Sequence, residues 1–272
     1  MEQFNPNLLR KLYRPHPNSH KGQNGKLMII GGSKLFHAAS LWALKVASRI
    51  VDMVFYSSVP DNNEIVKVLK KEFRDGIIIR RDKIGDYIDE ADCVLIGPGL
   101  PRLEGQEEED NDTKELTETL LKKYPYKKWV IDGGSLQVIN PSIIPNASII
   151  TPHKGEFSKL FGKDADEEVI SSMAKKYGIV ILTKGEKDIV CSKEECVKVL
   201  GGNPGMTKGG TGDVLAGLTA SLYCKNEAFL SACAGSYINK KAGDYLYKSV
   251  GPYFNASNLT NEIPKIMKRL LY

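Results

Sequence analysis

A carboxylate set among glycines is the most chemically informative feature of this sequence. Gly201-Gly202-Asn203-Pro204-Gly205-Met206-Thr207-Lys208 runs into Gly209-Gly210-Thr211-Gly212-Asp213, and an apolar helical pattern follows at residues 214–222. Glycines let backbone N–H groups approach an anion closely, and a helix that starts here aims the positive end of its dipole at a phosphate. The loop is neither a Walker A motif, which needs a GK[ST] ending, nor a dinucleotide GxGxxG with an acid after the next strand. Asp213 is out of place in a pure anion cradle, because its charge repels what the backbone attracts. An acid in the first turn of a helix is also ordinary dipole compensation. With glycines and Thr211 around it, the preferred role is a general base that deprotonates a hydroxyl.

Further candidate loops lie at the ends of apolar runs, where ligands collect in open α/β sheets. Gly97-Pro98-Gly99 follows residues 94–96, and Thr151-Pro152-His153-Lys154-Gly155-Glu156 follows residues 149–150. Taken alone, Gly97 and Gly99 are turn chemistry. His153 reads as a surface histidine, and Glu156, three residues on at a helix start, as a capping acid or a ligand to metal-bound water. Thr183-Lys184-Gly185-Glu186-Lys187-Asp188 follows the run 179–182. In isolation it is a charged turn that could set Lys184 beside a nucleotide phosphate. Residues 26–33 form a strand entering a glycine turn.

The elements that must carry these loops follow from hydrophobic periodicity. Short β-branched runs at 27–30, 54–57, 77–80, 94–96, 129–131, 149–151 and 179–183 alternate with amphipathic stretches at 38–51, 113–123, 156–161 and 167–177. This is the pattern of a doubly wound, mostly parallel α/β sheet with helices on both faces. Residues 188–191 and 196–200 then read as a hairpin on the sheet edge, and residues 102–112, with an acid run at 107–110, as a solvated loop. The 272 residues, 42% hydrophobic and 26% charged, allow one large domain with a sizeable core.

Thirty-eight basic against 33 acidic residues give a net charge of +5. The two signs are interspersed, which argues against a nucleic-acid partner. The longest apolar helical run, 38–56, is broken by Lys45, Arg49 and Asp52, so no membrane span is expected, and residues 1–14 lack the apolar centre of a signal peptide. A cytoplasmic location is the expectation. The five scattered cysteines, Cys93, Cys191, Cys196, Cys224 and Cys233, include no CxxC pair, which predicts neither a disulfide framework nor structural zinc.

Taken in order, these segments resemble the NAD(P)H-hydrate dehydratase family of the ribokinase-like superfamily. The resemblance runs from about residue 20 to residue 246: Ser19-His20-Lys21-Gly22 with 25–33, then 91–100, 130–136, 149–162, 180–190 and, most specifically, 202–217. It implies an enzyme that restores NADH or NADPH from the S form of their hydrates, NADHX and NADPHX. The hydrate is dehydrated at the expense of ADP, giving AMP and phosphate, or of ATP, with Mg2+. In such an enzyme Asp213 is the catalytic base. Ala38, Gly99, His153 and Asp213 contact the substrate. Lys184, Gly185, Glu186, Lys187 and Asp188 hold the nucleotide with Gly209, Gly210, Thr211 and Gly212. Glu156 organises Mg2+ through water.

The resemblance further implies a homo-oligomer, a tetramer, and a functionally upstream epimerase, expected as a separate protein because recognisable sequence starts near residue 20. The compact unfused chain favours ADP. Departures bear on substrate. The family's second acid after the strand is missing at Gly134 in Asp132-Gly133-Gly134-Ser135-Leu136, Pro101 and His37 stand in place of glycines, Asp188 replaces a frequent threonine, and 49–52 lacks a Gly-Ala-Gly. A sugar or vitamin kinase of the same superfamily shares the loop and base and is the alternative, and a non-catalytic nucleotide sensor is a third reading.

Overall fold

The computed structural model describes residues 1–102 and 112–272, so the acid run 107–110 lies outside the described residues. Strands β1 (Glu2–Gln3), β2 (Lys26–Ile30), β3 (Met53–Ser57), β4 (Ile77–Ile78), β5 (Cys93–Ile96), β6 (Lys128–Ile131), β7 (Ile149–Ile150), β8 (Val180–Thr183), β9 (Asp188–Cys191) and β10 (Cys196–Val199) form one sheet. Its order is β1-β10-β9-β8-β7-β6-β5-β2-β3-β4. Every pairing is parallel except those of β9, which runs antiparallel to both β8 and β10. The expected hairpin is therefore present, with β1 added outside it.

Ten helices accompany the described strands: α1 (Ala38–Ala47), α2 (Pro60–Leu69), α3 (Ile84–Glu90), α4 (Thr113–Lys123), α5 (Gly133–Leu136), α6 (Lys154–Phe161), α7 (Glu167–Tyr177), α8 (Thr211–Tyr223), α9 (Ala228–Val250) and α10 (Ala256–Leu271). Strand side chains alternate between two cores, as a pleated sheet covered on both faces requires. Leu27, Ile29, Cys93, Leu95 and Val130 face a layer containing residues of α1, α8, α9 and α10. Met28, Ile30, Val94, Ile96 and Trp129 face residues of α3, α4, α6 and α7. Residues 214–223 are buried throughout, because α8 is enclosed by α1, α9 and the sheet. Gly217 permits that enclosure: a Cβ there would lie 2.7 Å from the Ala43 Cα.

Three expectations need correction. Helix α1 stops at Ala47 and not at residue 51; residues 48–51 continue as a tapering turn in which Ser48 Oγ donates to the Lys45 carbonyl. Strand β4 is limited to two residues. Cys191 and Cys196 are disulfide-bonded, whereas Cys93, Cys224 and Cys233 are buried free thiols. The two bonded cysteines are direct cross-strand partners in the β9–β10 hairpin, with Cα atoms 4.1 Å apart. They close the turn of the hairpin expected at 188–191 and 196–200, a register that cysteine number alone does not give. Among the described residues no helix is long and apolar enough to cross a membrane.

Candidate active site

The chain doubles back at β2: β3 and β4 lie to one side, and β5 to β8 to the other. In open α/β sheets the crevice beyond the strand C-termini at such a reversal receives ligands. Strands β2, β5, β6, β7 and β8 deliver Gly31, Gly97, Asp132, Thr151 and Lys184 to that edge. Their backbones pass so closely that a Cβ on Gly97, at φ +120°, would lie 1.7 Å from the Asp132 carbonyl oxygen. Only glycine fits there.

Lys184 organises the acids around it. Its ammonium lies 2.8 Å from Asp132 Oδ1 and 3.7 Å from Glu156 Oε2. Thr151 Oγ1 donates to the same Asp132 oxygen at 2.7 Å. Burial opposes the Lys184 charge, but Asp132, Glu156 and Asp213 together more than offset it and push its pKa up. Burial also raises the Glu156 carboxyl, a shift that Lys184 opposes and the charge of Asp132 reinforces.

Asp213 enters this cluster from the first turn of α8. Gly210, at φ +93°, begins the helix, and a side chain there would strike the Trp42 ring at 2.3 Å. With glycine at this position, no side chain caps the first-turn N–H groups. Thr211 Oγ1 closes the loop by donating to the Met206 carbonyl at 2.7 Å. A Cβ on Gly212 would lie 3.5 Å from the Lys184 ammonium, so the helix start abuts the acid cluster. Burial, reinforced by the charges of Asp132 and Glu156 and opposed by Lys184, pushes the Asp213 carboxyl up to about 7. A carboxyl raised to that range is poised to take up a proton near neutral pH.

Of the two roles read for Glu156, the loop at residues 151–156 shows the capping one. The Glu156 N–H donates to His153 Nδ1 at 3.1 Å and the His153 N–H to Glu156 Oε2 at 2.9 Å, a reciprocal capping box at the start of α6. The His153 ring remains half exposed, and Glu156 also faces Lys184. Among the described residues, no group of three or more His, Cys, Asp or Glu side chains is arranged to hold a metal ion.

A cleft of about 690 Å³ opens beside the cluster. Of the residues expected at a nucleotide, Lys184, Gly185, Glu186, Asp188, Thr211 and Gly212 line it; Lys187, Gly209 and Gly210 do not. Asp188 accepts hydrogen bonds from Gly185 N at 2.9 Å and Ser236 Oγ at 2.7 Å, so it supports the turn. Ala38 and Gly99 do not line this cleft; they follow β2 and β5 at the C-terminal edge of the sheet. Gly99, at φ +72°, is covered by the turn into α1, with Phe36 O at 2.9 Å from where its Cβ would be, and Ala38 is the exposed first residue of α1. His37 Nδ1 lies 3.3 Å from Asn62 Oδ1, which joins that turn to the buried Asn62–Tyr56–Ser40 network.

Sequence reasoning assigned no role to Asp132, Asn239 or Lys240. Asp132 follows a strand, as Lys184 does, but nothing in its local pattern marks the partner. Asn239 lines the cleft with a buried amide oxygen that has no hydrogen-bond partner among the described residues. The missing acid at Gly134 has a steric cause. A Cβ there would lie 2.0 Å from the Leu100 carbonyl oxygen and 3.1 Å from that of Pro101, which Thr113 Oγ1 holds at 2.8 Å. Gly134→Asp is therefore expected to destabilise the fold by about 1–3 kcal/mol without raising activity. Thermal unfolding of the variant checks this, and an unchanged midpoint would contradict it.

A family model described as NAD(P)H-hydrate dehydratase matches residues 27–265. The chain is 40% identical over 275 residues to a bifunctional NAD(P)H-hydrate repair enzyme of Methanocaldococcus jannaschii. That match covers 96% of this chain and 51% of the relative, so the chain spans about half the relative's length. It is 30% identical to an ADP-dependent (S)-NAD(P)H-hydrate dehydratase of Cenarchaeum symbiosum, over 92% of this chain and 91% of that one. The fold is similar to that of the ADP/ATP-dependent NAD(P)H-hydrate dehydratase from Bacillus subtilis co-crystallized with ATP/Mg2+. There the TM-score is 0.82 at 20% identity, over 99% and 98% of the two chains. The chain belongs to the NAD(P)H-hydrate dehydratase family.

Proposed function

We propose that this protein dehydrates (S)-NADHX or (S)-NADPHX to NADH or NADPH while cleaving ADP to AMP and phosphate, or ATP to ADP and phosphate. The carrying observation is the Asp213 carboxyl, raised to about 7, at the start of α8 beside the Lys184 ammonium and a nucleotide-sized cleft. In this reading Asp213 takes the proton of the nicotinamide ring hydroxyl, and the hydroxyl oxygen forms the new bond to phosphorus. The bond between phosphorus and the nucleotide's bridging oxygen breaks; phosphate, a better leaving group than hydroxide, then departs from the ring carbon while the neighbouring ring carbon loses a proton to water, which restores the ring double bond. First-turn N–H groups of α8 and the Lys184 charge stabilise the transferring phosphoryl.

The part of the C-terminal sheet edge bearing Ala38, Gly99 and His153 takes the substrate, and the lined cleft takes the nucleotide. Asp132 and Glu156 offer hard oxygen donors that suit a Mg2+ arriving on nucleotide phosphates and held partly through water, though they form no protein-only cage. Such an ion would supply charge neutralisation on the phosphate oxygens. The kinase alternative shares this base and loop; membership of the dehydratase family favours the dehydratase.

The test incubates purified protein with (S)-NADHX, Mg2+ and either ADP or ATP, and follows reduced-nicotinamide absorbance together with phosphate. Both rising in equal amounts is the expected result. Phosphorylation of a sugar or vitamin without recovery of NADH would replace this reading with the kinase, and binding without turnover would replace it with a sensor.

A further inference from the structure

Helix α9 carries a ladder of polar side chains four residues apart, Ser236, Lys240 and Asp244, on one face beneath the cleft. Ser236 Oγ donates to Asp188 Oδ2 at 2.7 Å. The Lys240 ammonium lies 3.2 Å from Asp188 Oδ1 and 3.1 Å from the carbonyl oxygens of Gly185 and Glu186, which occupies all three of its protons. Asp244 Oδ1 accepts from Gly202 N at 3.0 Å, and a Cβ on Gly202 would lie 3.3 Å from Lys240 Nζ. One helix face thus ties together both loops that wall the cleft, 184–188 and 201–203. Lys240 and Asp188 side chains are each 6% exposed, so neither charge is a solvated surface group.

We propose that Asp188 and Lys240 act as a positioning clamp that sets nucleotide affinity from behind the cleft. A turn that receives phosphates must present N–H groups and keep its carbonyl oxygens away from the anion. Lys240 draws in the carbonyls of Gly185 and Glu186, and peptide planarity turns the N–H groups of Glu186 and Lys187 away from the ammonium. Asp188 holds the Gly185 N–H and fixes Lys240 in place. The aspartate that stands where the family has a frequent threonine therefore has a specific partner, a lysine 52 residues further along the chain. Losing the ammonium frees two carbonyl oxygens beside an anion site and loosens the turn that carries Lys184.

The clamp rests on the nucleotide reading of the cleft, so the test uses ADP and ATP binding, which requires no dehydration. Calorimetric titration of the parent, Lys240→Met and the double variant Asp188→Thr/Lys240→Met is run alongside thermal unfolding. Lys240→Met is expected to weaken ADP binding by about tenfold or more, the value of one or two charge-assisted hydrogen bonds. The double variant buries no lone charge. It is expected to recover the melting midpoint but not the affinity, and it carries the test if Lys240→Met does not fold. Affinities within about twofold of the parent in the folded variants, whatever their midpoints, overturn the clamp and assign the pair to stability alone. A parent that binds neither nucleotide overturns the nucleotide reading and the clamp with it.

Discussion

Asp213→Asn is expected to fold, bind ADP as the parent does, and lose turnover by about a thousandfold, within the range that general-base catalysis contributes. Asparagine keeps the shape of the side chain and cannot accept the hydroxyl proton. The same substitution has a second, opposite signature in stability. The folded-state pKa of Asp213 is pushed up to about 7, so between the ordinary carboxylate value and 7 the folded protein holds a proton that the unfolded chain releases. Stability therefore falls as pH rises through that window, and above it the ionised carboxylate beside Asp132 and Glu156 weighs against the fold. Asp213→Asn removes this penalty and is expected to gain on the order of 1–2 kcal/mol near pH 8 and little near pH 4. A variant that loses activity and also stability at pH 8 would make Asp213 a structural residue.

Lys184→Met has the largest expected effect on the fold. It withdraws the cation from between Asp132 and Glu156, which leaves buried acids uncompensated at a cost of about 3–5 kcal/mol. Burial already raises Glu156 and Asp213, and Lys184 opposes both shifts, so its loss moves both carboxyls further up. Raised carboxyls destabilise the fold only where the unfolded chain would ionise them, so the loss should be larger near pH 8 than near pH 5. Urea unfolding at the two pH values reads this. Equal losses would mean that Lys184 acts by packing alone. Turnover is also expected to vanish, since the base is then protonated at neutral pH.

The sheet was largely legible because parallel strands buried on both faces announce themselves as short β-branched runs, and β2, β3, β5, β6 and β8 fall within a residue of their expected ends. Helices α2 and α3 were not read. The first opens on Pro60 and carries Asn62 and Asn63, residues that suggest turns; here they are buried and bonded to Ser58 and Tyr56. The second is a short segment containing Gly85. Asp213 stood out by its glycine context, whereas Lys184 and Glu156 read locally as a charged turn and a helix cap and received a site role only from the family resemblance. Asp132 received none, because its meaning lies in a partner 52 residues away that becomes adjacent only through the β6-β7-β8 order. Lys240 was missed for a related reason: a lysine on an amphipathic helix reads as a surface residue until Asp188 is set against it. The disulfide, too, depends on a register that cysteine counting cannot supply.

The most direct test of the central claim is the pH dependence of kcat/KM for (S)-NADHX at saturating ADP, measured on the parent and on the residual activity of Asp213→Asn. The parent should rise tenfold per pH unit and level off above about 7, where Asp213 is ionised, and the variant should lack that limb. A parent profile that is flat from about pH 5.5 to 8.5, or the same limb persisting in the variant, would contradict the assignment of Asp213 as the base.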